Sequence, residues 1–415
     1  MRPAATIPGT PTTRTASRPP LPTTPPKARL GLLFFAVLVD LVGFGIVLPV
    51  LPFYAEGFGA DFGQVGLLYA IYSLVQLVMA PLWGRVSDRV GRRPVIILGL
   101  LGSAVAYTIF ARADSLAVLF LSRIVGGIGG STIPVAQAYI ADVTPPGRRA
   151  GGLGLIGAAF GLGFVIGPAL GGILSGVSPG SPAAPGYTAA ALCLANALAA
   201  LAWLPESRRR GTPPTSSRFN LGAALAEVAR SRQIRLILAG YLCITMGFST
   251  LQPTLSLLAS GRFAMGPREA GYLFALLGIV SVIVQGGLVR RLVPRFGERR
   301  LLRVSGIPFC LGLALVGVAT TAPALLAGLV LIGIGYGGSI PSVLALLSRA
   351  TDPERQGAVL GLGQSVGSLA RVLSPAMAGA LLEVRLALPY MVGAALILVA
   401  ALFAAGLVQP EDAGP

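Results

Sequence analysis

The chain has 415 residues, of which 54% are hydrophobic and 11% charged, less than half the roughly 25% charge of an ordinary soluble domain. It contains no histidine, which excludes imidazole catalysis and histidine-ligated metal sites, and Cys193, Cys243 and Cys310 sit singly in apolar runs without metal or disulfide spacing. A net charge of +17 raises the question of nucleic-acid binding, but a mean hydropathy of +0.79 indicates a membrane protein instead.

Residues 1–29, with "TTRTASRPPLPTTPPKA", are rich in Pro and Thr and predict a disordered tail. Twelve apolar runs follow, each of about twenty residues and long enough to cross a bilayer. The first is too long for a signal-peptide core and lacks a clear small-residue cleavage site, so it reads as a span. The runs divide into 30–204 and 233–408, joined by a polar, arginine-rich linker over 205–232 and followed by a short tail over 409–415. Charge alternates between successive connections. The N-terminal tail, the even-to-odd loops and the linker carry nearly all the arginines, leaving Arg112, Arg262, Arg268 and Arg385 for the opposite side. By the positive-inside rule both termini are cytoplasmic. The basic balance is therefore a topology signal, and no nucleic-acid partner is expected.

The two halves superimpose at a spacing of about 205 residues. "GFGIVLP" (Gly43–Pro49) pairs with "GFSTLQP" (Gly247–Pro253), and "GLLYA" (Gly66–Ala70) with "GYLFA" (Gly271–Ala275). "RVGRRP" pairs with "RFGERR", and Gly167–Pro168 with Ser374–Pro375. An even number of spans per half makes the repeats parallel, related by an axis along the membrane normal.

Along the chain, ionisable residues within spans mark functional candidates, because a charge in hydrocarbon is costly. Asp40 lies about nine residues into the first span. Desolvation there favours the neutral acid, so Asp40 can bind and release a proton; a permanent ion pair or a helix-to-helix hydrogen bond is the alternative. In the second span Tyr69, Tyr72 and Gln76, with Phe248 and Gln252 of the seventh, either line a substrate pocket or pack helix on helix.

The loop "GRVSDRVGRRP" (Gly84–Pro94) concentrates charge between two apolar runs. Gly84 is expected to let helices approach closely, and Gly91 to supply a positive φ for the chain reversal. Asp88 can accept from a neighbouring arginine or from a helix N-terminus across the halves. With Arg89, Arg92 and Arg93 it forms a candidate latch for the state in which the cytoplasmic ends meet. Pro294 aligns with Asp88 in the second half, so such a latch is one-sided.

Arg123 lies inside the fourth span, three residues before the run "GGIGGST", which looks like a phosphate loop; that run lacks a lysine and is apolar in context, which argues against nucleotide binding. In the fifth span, "GLGFVIGPALGG" places Gly163, Gly167, Gly171 and Gly172 on a smooth packing face around Pro168, which frees a carbonyl and bends the helix. Arg371 in the eleventh span could pair with a substrate anion or with Asp40. Glu56 and Glu383 fall near the outer span ends and read as interfacial.

These motifs give the chain a resemblance. The Gly84–Arg93 stretch is similar to the Gly-x3-Asp-Arg-x-Gly-x-Arg/Lys loop signature of the major facilitator superfamily. The Gly163–Gly172 pattern resembles the fifth-helix motif that this superfamily associates with export. Arg123 occupies the position of the family's fourth-helix arginine, tied to proton coupling, although Gly126 stands where a Gln is usual. The first span looks like that of the tetracycline/proton and multidrug/proton antiporters, which carry an acid there. The resemblance implies an all-α integral membrane fold of twelve helices in two six-helix bundles around a central cavity. It implies a monomeric, non-enzymatic transporter of a bacterial cytoplasmic (inner) membrane. Such a protein exports a small amphipathic or drug-like molecule by alternating access, with protons as coupling ion and no other cofactor. Its partners are the lipid bilayer, the small-molecule substrate and protons, with Asp40 and Arg123 serving proton coupling. An importer of the same fold, running as a proton symporter, is the alternative; a membrane sensor or enzyme fits less well, since intramembrane acids are scarce.

Overall fold

The computed structural model describes residues 26–144, 149–207, 221–351 and 356–407. Hydrocarbon offers the backbone no hydrogen-bond partners, so spanning segments must satisfy their own amides, and every regular element among the described residues is helical.

The first span comprises α1 (Pro26–Val47) and α2 (Leu51–Gly57). Pro52 lacks the N–H that the Leu48 carbonyl would otherwise accept, and the helix breaks there. The Tyr69 hydroxyl donates to that carbonyl instead, at 2.5 Å. Next, α3 (Phe62–Val90) opens on a reciprocal cap, in which Asp61 accepts from the Gln64 amide and Gln64 from the Asp61 amide. Then come α4 (Arg92–Ala111), α5 (Leu116–Gly129) and α6 (Ile133–Val143). The glycine run that looked like a phosphate loop is a tight helical turn, Gly130–Thr132, inside one span. The first half ends with α7 (Arg149–Ser175) and α8 (Ala183–Trp203).

In the second half, α10 (Arg232–Ser249) gives way to α11 (Leu251–Phe263) just before Pro253, repeating the break of the first span. Helices α12 (Pro267–Ile283) and α13 (Val289–Val318) join through one wide turn over Val284–Leu288. Together they form a 52-residue run, Pro267–Val318, far beyond the ~20 residues of one crossing. It folds back at Gly297, at φ 72° and ψ 160°. The eleven apolar helical runs among the described residues thus supply twelve crossings, ending with α14 (Ala322–Arg349), α15 (Gln356–Val384) and α16 (Leu388–Ala405).

Two boundaries differ from expectation. The chain is already helical at Pro26, inside the stretch assigned to the tail. The linker contains an amphipathic helix, α9 (Leu221–Arg230), packed on α10 and α15. Residues 1–25, 208–220 and 408–415, which hold most of the tails and part of the linker, lie outside the described residues.

Within each half, α1 packs on α7 and α4 on α8, as α13 packs on α14 and α10 on α16. The halves meet chiefly through two helix pairs, α3 with α15 and α7 with α12, with α11 also touching α2 and α3. The repeat exchanges these pairs, since Gly66 corresponds to Gly271 and Pro168 to Pro375.

Gly91 reverses the chain at φ 106° and its repeat partner Gly297 at φ 72°, as the glycine argument requires. Nothing lies within 4 Å of a Cβ built on Gly297, so a substitution there tests backbone strain alone. We expect Gly297→Ala to destabilise the fold by about 1–3 kcal/mol, read as a lower thermal midpoint of the purified protein. Gly261→Ala, at a helical position with equally open surroundings, should leave the midpoint unchanged or raise it. Equal midpoints for both variants would show that the turn stores no strain.

Candidate functional site

Asp40, Tyr72 and Arg123 lie near one another within the first half. Asp40, on α1, is half-buried and hydrogen-bonds Ser103 of α4. Tyr72, Tyr107 and Cys193 lie close enough to interact with its charge. Arg123, on α5, is 3% exposed. Its Nε donates to Ser122 Oγ at 3.3 Å, and its guanidinium sits 5.3 Å from the Phe110 ring centroid and 6.0 Å from that of Tyr72. Such faces attract a cation through the ring quadrupole. Tyr72 is therefore shared ground between acid and arginine, yet the two form no ion pair among the described residues.

Local structure explains how Tyr72 is held. Its ring stacks on Phe44 with centroids 5.2 Å apart, and Gln76 Nε2 donates both to its hydroxyl (3.1 Å) and to the Gly130 carbonyl (2.9 Å). That carbonyl belongs to the turn between α5 and α6. The departure from the family pattern at Gly126 also has a role, for a Cβ there would already touch the Tyr72 ring at 3.4 Å. Tyr69, Tyr72, Gln252 and Arg123 line one narrow recess of about 10 Å³, room for about one water. Gln76 braces Tyr72 without lining that recess. Phe248 stacks instead on Tyr336, centroids 3.6 Å apart. Arg371 is half-buried and donates to Ser368 Oγ at 3.0 Å. It makes no ion pair with Asp40 among the described residues, so that expected partnership is absent in this conformation.

Ser103, Tyr107 and Tyr336 went unnoticed in the sequence. A serine and two tyrosines within apolar spans carry no periodic signal, and only their neighbours give them a role.

At the arginine-poor end the halves are shut. Gly163, Gly167 and Gly171 press α7 onto α1, where added Cβ atoms would lie 2.7 Å from Leu41 Cβ and 2.6 Å from Gly45 Cα, and collide with the Ile46 carbonyl. Gly172 faces the other half, where a Cβ would stand 2.8 Å from the Arg268 carbonyl and 3.1 Å from Gly271 Cα. Opposite, Gly66 abuts the Pro375 carbonyl and Gly379 in the same way. Ser256 Oγ donates to the Pro49 carbonyl at 2.8 Å, and the Gly63 amide to Glu383 at 3.1 Å. Glu383 is thus a contact between halves rather than simply interfacial.

At the arginine-rich end the picture reverses. Cβ atoms on Gly84, Gly154, Gly157, Gly286 and Gly287, on the helices that meet across the halves, would find nothing within 4 Å. Gly84 was expected to permit close helix approach. A Cβ there would meet nothing within 4 Å, so Gly84 makes no such approach in this conformation.

The charged loop braces its own half. Arg92 pairs with Asp88 at 2.7 Å and with Asp142, at the end of α6, at 3.2 Å. Glu206 accepts from the Arg92 and Arg93 amides, capping α4 from beyond α8. Arg93 donates to the Leu201 carbonyl near the end of α8. Arg89 belongs to the last turn of α3. The second half repeats this brace with charges exchanged. Glu298, in the place of Arg92, pairs at 2.7 Å with Arg349, which corresponds to Asp142. Arg299, in the place of Arg93, caps α16 through the Ala405 carbonyl at 3.0 Å.

Comparison with known proteins agrees with this architecture. The family model described as Major Facilitator Superfamily matches residues 33–295 and 237–415. The class C tetracycline resistance protein of Escherichia coli is 33% identical, over 88% of this chain and 93% of that protein. Multidrug resistance protein 2 of Bacillus subtilis is 28% identical, over 87% and 90%. The crystal structure of the human organic anion transporter MFSD10 (TETRAN) superposes with a TM-score of 0.71 at 26% identity, covering 92% of this chain and all of that one.

Two outcomes follow from the geometry. Gly172→Ala should push α7 from α12 and weaken the closed end by about 1–3 kcal/mol. Engineered cysteines at that end, in a background lacking the native three, should label faster; unchanged labelling would mean that the crossing does not hold the closure. Arg349→Glu, which sets two carboxylates together, should lower the thermal midpoint by an amount corresponding to about 1 kcal/mol, because the Arg349 side chain is 71% exposed and water screens the repulsion. Adding Glu298→Arg should recover most of the loss, and a double variant no better than the single would refute the charge-exchanged brace.

Proposed function

This chain belongs to the Major Facilitator Superfamily, and from that premise we propose that it is a proton-coupled exporter of small amphipathic molecules, working by alternating access. It is an integral membrane transporter, related to tetracycline and multidrug resistance proteins. In our reading it resides as a monomer in a bacterial cytoplasmic membrane with the arginine-rich end inside. The conformation described above is then inward-open, with its outer end sealed by the small-residue crossings.

The observation that carries this proposal is Asp40. A lone acid within the first span, bonded to Ser103 and surrounded by Tyr72 and Tyr107, has no ion-pair partner among the described residues. Such a group is free to exchange a proton when the cavity opens to either side. The glycine face of α7 supports export in particular, since it joins α1, which carries Asp40, to the helix pair that closes the outside. Proton binding at Asp40 and outer closure then share one rigid element. Aromatic walls with few polar anchors suit lipophilic molecules.

A panel of toxic compounds, screened in a pump-deficient bacterial host, identifies a substrate. In inverted vesicles that substrate should release protons from the lumen through the wild type. Asp40→Asn, nearly the same shape without the titratable group, should insert normally and abolish the release. Undiminished release by this variant would remove Asp40 as the proton carrier, and flux only in the inward direction would replace export with import.

A further inference from the structure

Arg123 carries a charge that the protein leaves unanswered. Its Nη2 is sealed from solvent and has no hydrogen-bond partner among the described residues. No described carboxylate lies within ion-pair distance of it. A desolvated guanidinium is normally paired, because burial removes water that nothing else replaces. The faces of Phe110 and Tyr72 offset only part of that loss and offer no acceptor. Arg371, from the second half, lies near enough to Tyr72 to interact with it as well. Around Tyr72, then, two arginines and one acid lie within interaction range, an excess of one positive charge even with Asp40 ionised.

The recess beside Arg123 has room for about one water. It suits the oxygen of a head group, not the body of a molecule. Gln252 reaches it from α11, so whatever enters would touch both halves at the closed end.

We propose that Arg123 receives an anionic group of the transported molecule, a carboxylate or sulfonate, with Gln252 contributing a donor from the opposite half. This rests on the transport function proposed above and narrows its substrate class. A basic group on the same molecule would occupy the neighbourhood of Asp40, where it competes with the proton as antiport requires. The substrate class that answers both charges is an amphiphile bearing one acidic and one basic group.

The test uses three probes with one aromatic body: para-piperazinylbenzoate, its methyl ester and its N-acetyl derivative. Binding to the full-length protein in nanodiscs is measured by calorimetry. The two acids should bind at least about tenfold more tightly than the ester. Arg123→Gln should erase that difference, Arg123→Lys should keep most of it, and Gln252→Leu should reduce it several-fold. An ester that binds as well as the acids, an advantage that survives Arg123→Gln, or no binding by any probe would overturn the proposal. Should Arg123→Gln fail to fold, the wild-type comparison and Gln252→Leu decide. Proton release driven by a toxic compound, measured alongside, separates the two hypotheses. Release without any acid preference removes the subsite and leaves the exporter. Arg123-dependent acid binding without release by any compound does the reverse.

Discussion

Everything in this molecule depends on how closely two backbones can approach where glycine removes the side chain. In lipid, apolar surface gains nothing by leaving one helix for another, so association rests on contact and on hydrogen bonds. The seal at the arginine-poor end is made in this way. Gly172 meets Gly271 on one side and Gly66 meets Gly379 on the other, the same crossing executed twice by the sequence repeat. Because α7 touches α1 through Gly163, Gly167 and Gly171 while touching α12 through Gly172, one helix links the acid-bearing span to the gate. Alternating access needs a joint that is rigid within a half and separable between halves. Contacts without side chains suit the second requirement, since parting them exposes no interdigitated surface.

The opposite end meets the first requirement by other means. Here ionic contacts stay within one half, tying the start of α4 to the ends of α6 and α8. Surface charges would be weak ties on their own, yet Arg92 and Glu298 are mostly buried and each joins two helix ends. A half braced in this way can tilt as a unit.

Much of this was legible in the sequence because it follows from local rules. Run length gave the spans, and loop charge divided the two faces. Glycine at 91 and 297 marked the chain reversals, and the spacing around Pro168 marked a packing face. What escaped was set by partners distant in sequence. Asp142 and Glu206 are ordinary residues at helix ends until the fold brings them to Arg92. The second-half brace stayed hidden because comparing the repeats residue by residue looks for likeness, and Glu298 opposite Arg92 is the reverse of likeness. Gly84 makes no close approach here for a different reason. Sequence carries the requirements of every conformation at once, and the structure holds one of them. The recess at Arg123 was half legible, since the buried charge was evident but its lack of a counter-ion was not.

The exchanged charges of the two braces also bear on how such a chain assembles. A duplicated protein inserts twelve similar helices one after another, and each half offers the other a plausible wrong neighbour. If the start of α4 docked on the end of α14, Arg92 would face Arg349. If the helix after Gly297 docked on the end of α6, Glu298 would face Asp142. Each mistaken union sets like charges together at a half-dry interface, where repulsion is strong, while each correct one joins opposites. The inversion thus makes the two braces mutually exclusive, so that each helix end finds an opposite charge only within its own half.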